Sequence, residues 1–246
     1  MDASFKTVEW MKDKTIYEVN LRQYTEAGSF KAFEAHIPRL KEMGVEVLWL
    51  MPVTPISENG RKGSLGSYYA CSSYTKLNAE FGNEQDFISL IQLAHKHEMK
   101  VIIDWVANHT GREHEWMQSH PDWFNRDEDG NFTERNGWED VVDLNFKNQD
   151  MRAALIGAMQ YWVRTFNIDG FRCDAADLVP FDFWQNAITT IQSESGRALI
   201  FLAEGTRNDH FAAGFQMNFS WDYYNAVKNV FVSNGNPSQL STTNTN

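Results

Sequence analysis

Three short runs, VEVLWLMP (45–52), KVIIDWV (100–106) and ALIFLAE (198–204), are apolar at consecutive rather than alternate residues. Successive strand side chains point to opposite faces of a sheet, so such a run needs cover on both faces, which helices laid on a parallel sheet provide. Further strands are predicted at TIYEVNL (15–21), GFRCDAA (170–176) and FQMNFSW (215–221), giving six. Between them, apolar residues recur at three- and four-residue spacing over 30–43, 84–99, 149–166 and 181–195, the pattern of amphipathic helices. Gly44 and Asn167 stand where such helices end in a left-handed residue. Strand and helix alternate, which predicts repeated βα units and an α/β fold with a parallel sheet.

One segment breaks the rhythm. From Gly111 to about Val142 the chain is rich in Trp, His, Asp, Asn and Gly, and its RDEDGNFT reads as a hairpin turn between short strands. Asp127, Asp129 and Asn131 have the spacing of a calcium loop, but the bidentate Glu that would close the loop is missing, so the turn reading is preferred. Residues 111–142 are expected to form a small inserted subdomain after the third strand, dividing a catalytic domain into 1–110 and 143–232. The polar, low-complexity SNGNPSQLSTTNTN (233–246) reads as a frayed tail.

A chain of 246 residues with 42% hydrophobic content can bury a full core. Its net charge of −11, without clustered Lys and Arg, disfavours nucleic acid and anionic lipid and suits a neutral partner. The two cysteines, Cys71 and Cys173, have neither zinc-site spacing nor the pattern of a disulfide framework. The densest apolar runs, such as VLWLM, are too short for a membrane span, and the start MDASFKTVEWMKDK lacks the apolar core of a signal peptide. The compartment would be cytoplasmic if that start is native, and secreted or periplasmic if a leader has been removed.

The chemistry begins with GFRCDAAD (170–177), which puts Arg172 and Asp174 inside a buried strand, where a charge costs several kcal/mol unless compensated. Alternation sends both to one face and Phe171 and Cys173 to the other. In a barrel of parallel strands, catalytic groups gather at the carboxyl ends. There the third strand delivers Asp104, then Asn108 and His109; the fifth ends in Glu204; and the loop after the second offers Tyr68, Tyr69 and Tyr74. The guanidinium is expected to lower the pKa of Asp174, whereas Glu204, with no base in its own strand, is expected to favour its acid form. Singly, each has a plainer reading: a structural ion pair, a charge at a helix N-terminus, a loop histidine, a packed aromatic. In order at successive strand ends, two carboxylates of opposite protonation tendency suit glycosidic bond cleavage.

DWVANHT (104–110), the DLN of VVDLNF (143–145), DGFRCDAAD (169–177) and FLAEG (201–205), in this order, resemble glycoside hydrolase family 13, the α-amylase family, from about Lys14 to Asp222. TIYEVNLRQYT and GSLGSYYACSSYTKLNAEFG agree with it. The resemblance implies a (β/α)8 TIM-barrel fold, truncated here after about six strands. It implies that Asp174 is the nucleophile, held by Arg172, and that Glu204 is first the general acid and then the base. Tyr69 would stack on the sugar, and Asp104 and His109 would contact the same subsite. The two carboxyl groups would stand about 5 to 5.5 Å apart, as in a retaining enzyme. The implied substrate is an α-1,4-linked glucan such as starch or a maltooligosaccharide.

No cofactor is required by that chemistry. Calcium, held by many members, would keep one matching ligand in Asn108, but Asp177 and Leu178 replace the Lys-His pair of those members. The Asn-His-Asp motif that supplies the family's third carboxylate does not occur in this sequence. The competing readings are therefore a non-catalytic, amylase-like binding protein, or a transglycosylase or isomerase of the same fold. Six strands in place of eight would also leave apolar edges on the first and sixth.

Overall fold

The structure, a computed structural model, describes residues 8–242. It contains β1 (Ile16–Val19), β2 (Val47–Leu50), β3 (Lys100–Trp105), β4 (His109–Gly111), β5 (Val141–Asp143), β6 (Gly170–Cys173), β7 (Ile200–Ala203) and β8 (Met217–Asn218). Six of these form one parallel sheet in the order β1-β2-β3-β6-β7-β8, the predicted six strands of a (β/α)8-type barrel laid side by side in chain order. β4 and β5 pair antiparallel in a separate sheet. The sixth strand is much shorter than the predicted 215–221, because only Met217 and Asn218 hold the ladder to β7.

The continuous apolar runs are explained by two cores on the two faces. Leu48, Leu50, Val101, Ile103, Phe171 and Phe201 face the large core under the helices. Val47, Trp49, Ile102 and Ile200 alternate with them and form a smaller cluster on the inner face, with Met217 and Phe219 against it. Each fully buried Leu, Ile or Phe contributes about 1.5–3 kcal/mol of transfer free energy, so both faces hold the sheet. Gly170 permits the close pairing of β6 with β7: a Cβ there would lie 1.9 Å from the Ile200 carbonyl oxygen.

Three helices start on side-chain caps. In α1 (Phe30–Glu34), Ser29 accepts from the Ala32 amide. The helix expected over 30–43 is broken, continuing as α2 (Ile37–Glu42), because Pro38 has no N–H to donate to the preceding turn and its ring clashes with that turn's carbonyl. α3 (Glu84–Lys96) begins with a reciprocal capping box between Asn83 and Asp86. α4 (Gln149–Phe166) runs from its Asn148 cap to a left-handed Asn167, as expected. α5 (Phe181–Ser195) ends at left-handed Gly196. Gly44 is also left-handed, at φ 93°.

α6 (Trp221–Val232) was not predicted from the sequence; only its Ala226 is buried, and its apolar Trp221, Tyr224 and Phe231 stay exposed. Among the described residues no helix is long and apolar enough to cross a membrane.

Within 111–142, Arg126 bridges Phe132, Asp127 N–H donates to the Asn131 carbonyl at 3.0 Å and Gly130 is left-handed, so RDEDGNFT makes the predicted hairpin turn. Towards the C-terminus, residues 238–242 form a short helix rather than a frayed end, and Asn229 Nδ2 donates to Gln239 Oε1 at 2.8 Å. The last four residues of the expected tail and the first seven of the start lie outside the described residues.

Candidate active site

Register sets the site. Asp104 on β3 is paired with Arg172 on β6, and both point to the inner face, so they meet at the same level of the sheet. Arg172 Nη1 donates to Asp104 Oδ1 at 2.7 Å and to Asp174 Oδ1 at 3.0 Å. Its Nη2 lies 2.9 Å from Glu204 Oε2, delivered by the adjacent β7. The side chain of Arg172 is only 4% exposed and stands over the rings of Trp49, Phe219 and Tyr69, with its central carbon 4.9, 5.3 and 5.9 Å from their centroids. One guanidinium thus serves three carboxylates in an aromatic cage, where its positive charge also meets the faces of the rings.

The expectation for Asp174 is overturned. Its carboxyl lies well above the ordinary aspartate range, because burial disfavours the anion and the negative charges of Asp104 and Glu204 exceed what Arg172 offsets. Glu204 has no base in its own strand, as read from the sequence, but Arg172 reaches it from the adjacent β6. Burial likewise pushes Asp104 up to about 6, against Arg172 and hydrogen bonds from Trp49 and Tyr69. Asp104 and Asp174 together favour retention of a proton, which belongs to the pair rather than to one residue.

All six predicted site residues converge. Tyr69, His109, Asp174 and Glu204 line an open pocket of about 310 Å³ together with Ser67, Trp138, Asp140, Val141 and Ala175. Asp104 and Arg172 lie beneath it, and Tyr69 Oη donates to Asp104 Oδ2 at 3.2 Å. Burial holds His109 down to about 4, so its imidazole is neutral near pH 7. The Ala175 amide donates to Glu204 Oε2 at 2.9 Å, from a residue in the left-handed region at φ 44°. Trp49, Trp138 and Asp140 were missed. Trp49 sits in an apolar run that reads as core, and the other two arrive from the aperiodic 111–142 segment, with the ring of Trp138 5.2 Å from that of His109.

Asn108 is buried beside the pocket, and its Oδ1 accepts from Arg135 Nη2 at 2.8 Å. Among the described residues no group of three or more His, Cys, Asp or Glu is arranged to hold a metal ion.

A family model for the alpha amylase catalytic domain matches residues 13–137 and 118–232. The chain belongs to the alpha-amylase family. A solved alpha-amylase from Lactobacillus plantarum is 34% identical and superposes with a TM-score of 0.89, over 93% of this chain and 58% of that one. Alpha-amylase MalA of Haloarcula japonica is 27% identical over 90% of this chain and 34% of its own length. An alpha-1,4-glucan:maltose-1-phosphate maltosyltransferase of Cereibacter sphaeroides is 31% identical over 72% of this chain and 33% of its own length. The chain therefore spans about a third of the curated relatives it matches. Glycoside hydrolases and a glycosyl transferase are both among these relatives of the amylase-family barrel.

Proposed function

We propose that this chain carries the two reacting carboxylates of a retaining α-glucan glycosidase, Asp174 as nucleophile and Glu204 as acid and base. The observation that carries the reading is their presentation by adjacent strands on one guanidinium, at the floor of a pocket that also holds Tyr69 and His109. In the first step Glu204 gives its proton to the glycosidic oxygen as the bond from C1 to that oxygen breaks, and an Asp174 oxygen bonds to C1. In the second, water attacks C1, Glu204 takes a proton from it, and the Asp174 carboxylate leaves. Arg172 compensates Asp174 when it is the leaving or attacking anion, and Tyr69 offers a ring for the sugar to stack on. Asp104 and neutral His109 are suited to hydrogen bonds with sugar hydroxyls. In this reading residues 111–142 act as a small subdomain that walls the pocket through Trp138 and Asp140.

A sugar hydroxyl in place of water would turn the second step into transfer, a reading supported by the maltosyltransferase relative. The test is reaction of the 246-residue chain with a fluorinated glycosyl donor, followed by peptide mapping, beside release of reducing sugar from maltoheptaose. A glycosyl adduct on Asp174 is expected, and products longer than maltoheptaose would mark transfer, whereas only shorter ones with new reducing ends mark hydrolysis. An adduct on another residue, or none in a folded chain, would favour a binding protein without turnover.

A further inference from the structure

We infer that Arg135 is a built-in cation that stands in for a metal ion beside the pocket and, through Asn108, sets the orientation of His109. Two buried oxygens from different parts of the chain face one point: Asn108 Oδ1, after β3, and Asp143 Oδ2, on β5. Asn108 is fully buried and the Asp143 side chain is 1% exposed, so neither can rely on bulk water. Paired acceptors in such a place demand a cation or a strong donor, since an uncompensated buried carboxylate is costly. Arg135, 54% exposed, reaches down from 111–142 and supplies both: Nε donates to Asp143 Oδ2 at 2.6 Å and Nη2 to Asn108 Oδ1 at 2.8 Å. Burial nevertheless leaves the Asp143 carboxyl above its ordinary range.

The residues present do not fit calcium. That ion takes six to eight oxygen ligands, whereas the oxygens that would start such a shell are already hydrogen-bonded to a positive group that would repel it. A guanidinium does here what a metal would do: it ties the turn after β3 to β5 with a fixed charge. It also does something a metal would not do in the same way. Because Arg135 can only donate, the amide of Asn108 must present its oxygen to it, which turns Nδ2 towards Asp143 Oδ1 at 3.3 Å and His109 Nδ1 at 3.2 Å. His109 Nδ1 is therefore the acceptor, and the ring proton sits on Nε2. Arg135 is a positioning residue: it touches neither reacting carboxylate, yet it fixes the tautomer of a pocket histidine.

The proposal is tested by melting the 246-residue chain with EDTA, with millimolar calcium and with neither, beside Arg135→Ala and Arg135→Lys. The native midpoint is expected to be the same in all three solutions, and Arg135→Ala to melt roughly 5–10 °C lower. Lys has one compact charge that cannot fork across both oxygens, so Arg135→Lys should lose part of that stability and also remain measurable if the Ala variant does not fold. Terbium(III) should give a saturable tryptophan-sensitised emission with Arg135→Ala that the native chain and Arg135→Lys, which keeps a positive charge there, lack. The nitrogen NMR spectrum of His109 should show unprotonated Nδ1 in the native chain and a mixture of tautomers in the variants. A native midpoint that calcium raises or EDTA lowers would overturn the inference. So would variants that melt like the native chain or keep the His109 tautomer unchanged, or a folded Arg135→Ala that binds no terbium beyond the native chain.

Discussion

The two ends of β6 hold opposite ion clusters. At its amino end Asp169, whose side chain is 3% exposed, is met by three basic side chains: His95 Nε2 at 2.7 Å, Arg197 Nη2 at 2.9 Å and Lys100 Nζ at 3.3 Å. Three and five residues further on, Arg172 and Asp174 begin the reverse arrangement, one base among Asp104, Asp174 and Glu204. The outcomes differ in sign. Burial works against the Asp169 anion, but the hydrogen bonds and charges of His95, the Val101 amide and Lys100 more than offset it, and its carboxyl lies below the ordinary range. Asp174 lies well above it. An acid surrounded by bases is a structural rivet, whereas acids sharing one base retain a proton that can be moved. A buried charge cluster is therefore a candidate for chemistry when its compensation is incomplete.

The largest expected effect falls at the carboxyl end. Glu204→Gln keeps the shape but cannot give or take the proton, so turnover of an unactivated glucan should fall by about 10²–10⁴-fold while binding persists. Reducing-sugar assays that find Glu204→Gln within a few-fold of the parent would remove Glu204 from the acid role.

Stability should separate the two ends next. Asp169→Asn leaves three bases without their anion and should cost about 3 kcal/mol in urea unfolding. Asp174→Asn removes one of three mutually repelling acids and should cost under about 1 kcal/mol or stabilise. Equal losses in the two variants would break the comparison.

The pH dependence has opposite signs at the two ends. Asp169, lowered on folding, contributes stability that is present above the unfolded aspartate pKa and lost as pH falls through its folded value. Asp104 is raised to about 6, so its contribution is complete below the unfolded pKa and is lost as pH rises towards 6. Urea titrations of Asp104→Asn between pH 4 and 7 should show a steeper gain of stability with pH than the parent shows. Glycosyl labelling of Asp174, which needs the anion, should fade on acidification at a pH above the usual aspartate range.

The smallest effect concerns the backbone. Ala175 holds a left-handed conformation beside Asp174, which costs a residue with a Cβ about 1 kcal/mol. Ala175→Gly should be neutral or stabilise by up to that amount, and a clear loss in thermal melting would mean that the methyl is needed for packing.

The strands, and the places of Asp104, Arg172, Asp174 and Glu204 at their ends, were legible because both depend on short-range pattern. Runs such as VLWL and IFLA need two covered faces, and Asp104, Arg172, Asp174 and Glu204 sit at the ends of such runs. What depends on the alignment of one strand with another was not legible. The contact of Arg172 with Glu204 follows from the pairing of β6 with β7, which also makes Asp174 a hindered anion rather than a favoured one. Arg135, Trp138 and Asp140 come from a segment without periodicity, and only the folded chain carries Trp138 and Asp140 into the pocket and Arg135 beside it. The break at Pro38 had a local signal in the missing amide. α6 was not read from the sequence, and it leaves Trp221, Tyr224 and Phe231 exposed.

The sheet order also has a consequence for synthesis. Because the parallel strands lie in the order in which they are translated, each new strand can dock on a neighbour that has already left the ribosome, and none has to wait for an insertion between earlier strands. Asp104 emerges first, then Arg172, and Glu204 last, so the guanidinium has a carboxylate partner from the moment it is made. The nascent chain never buries that cation alone.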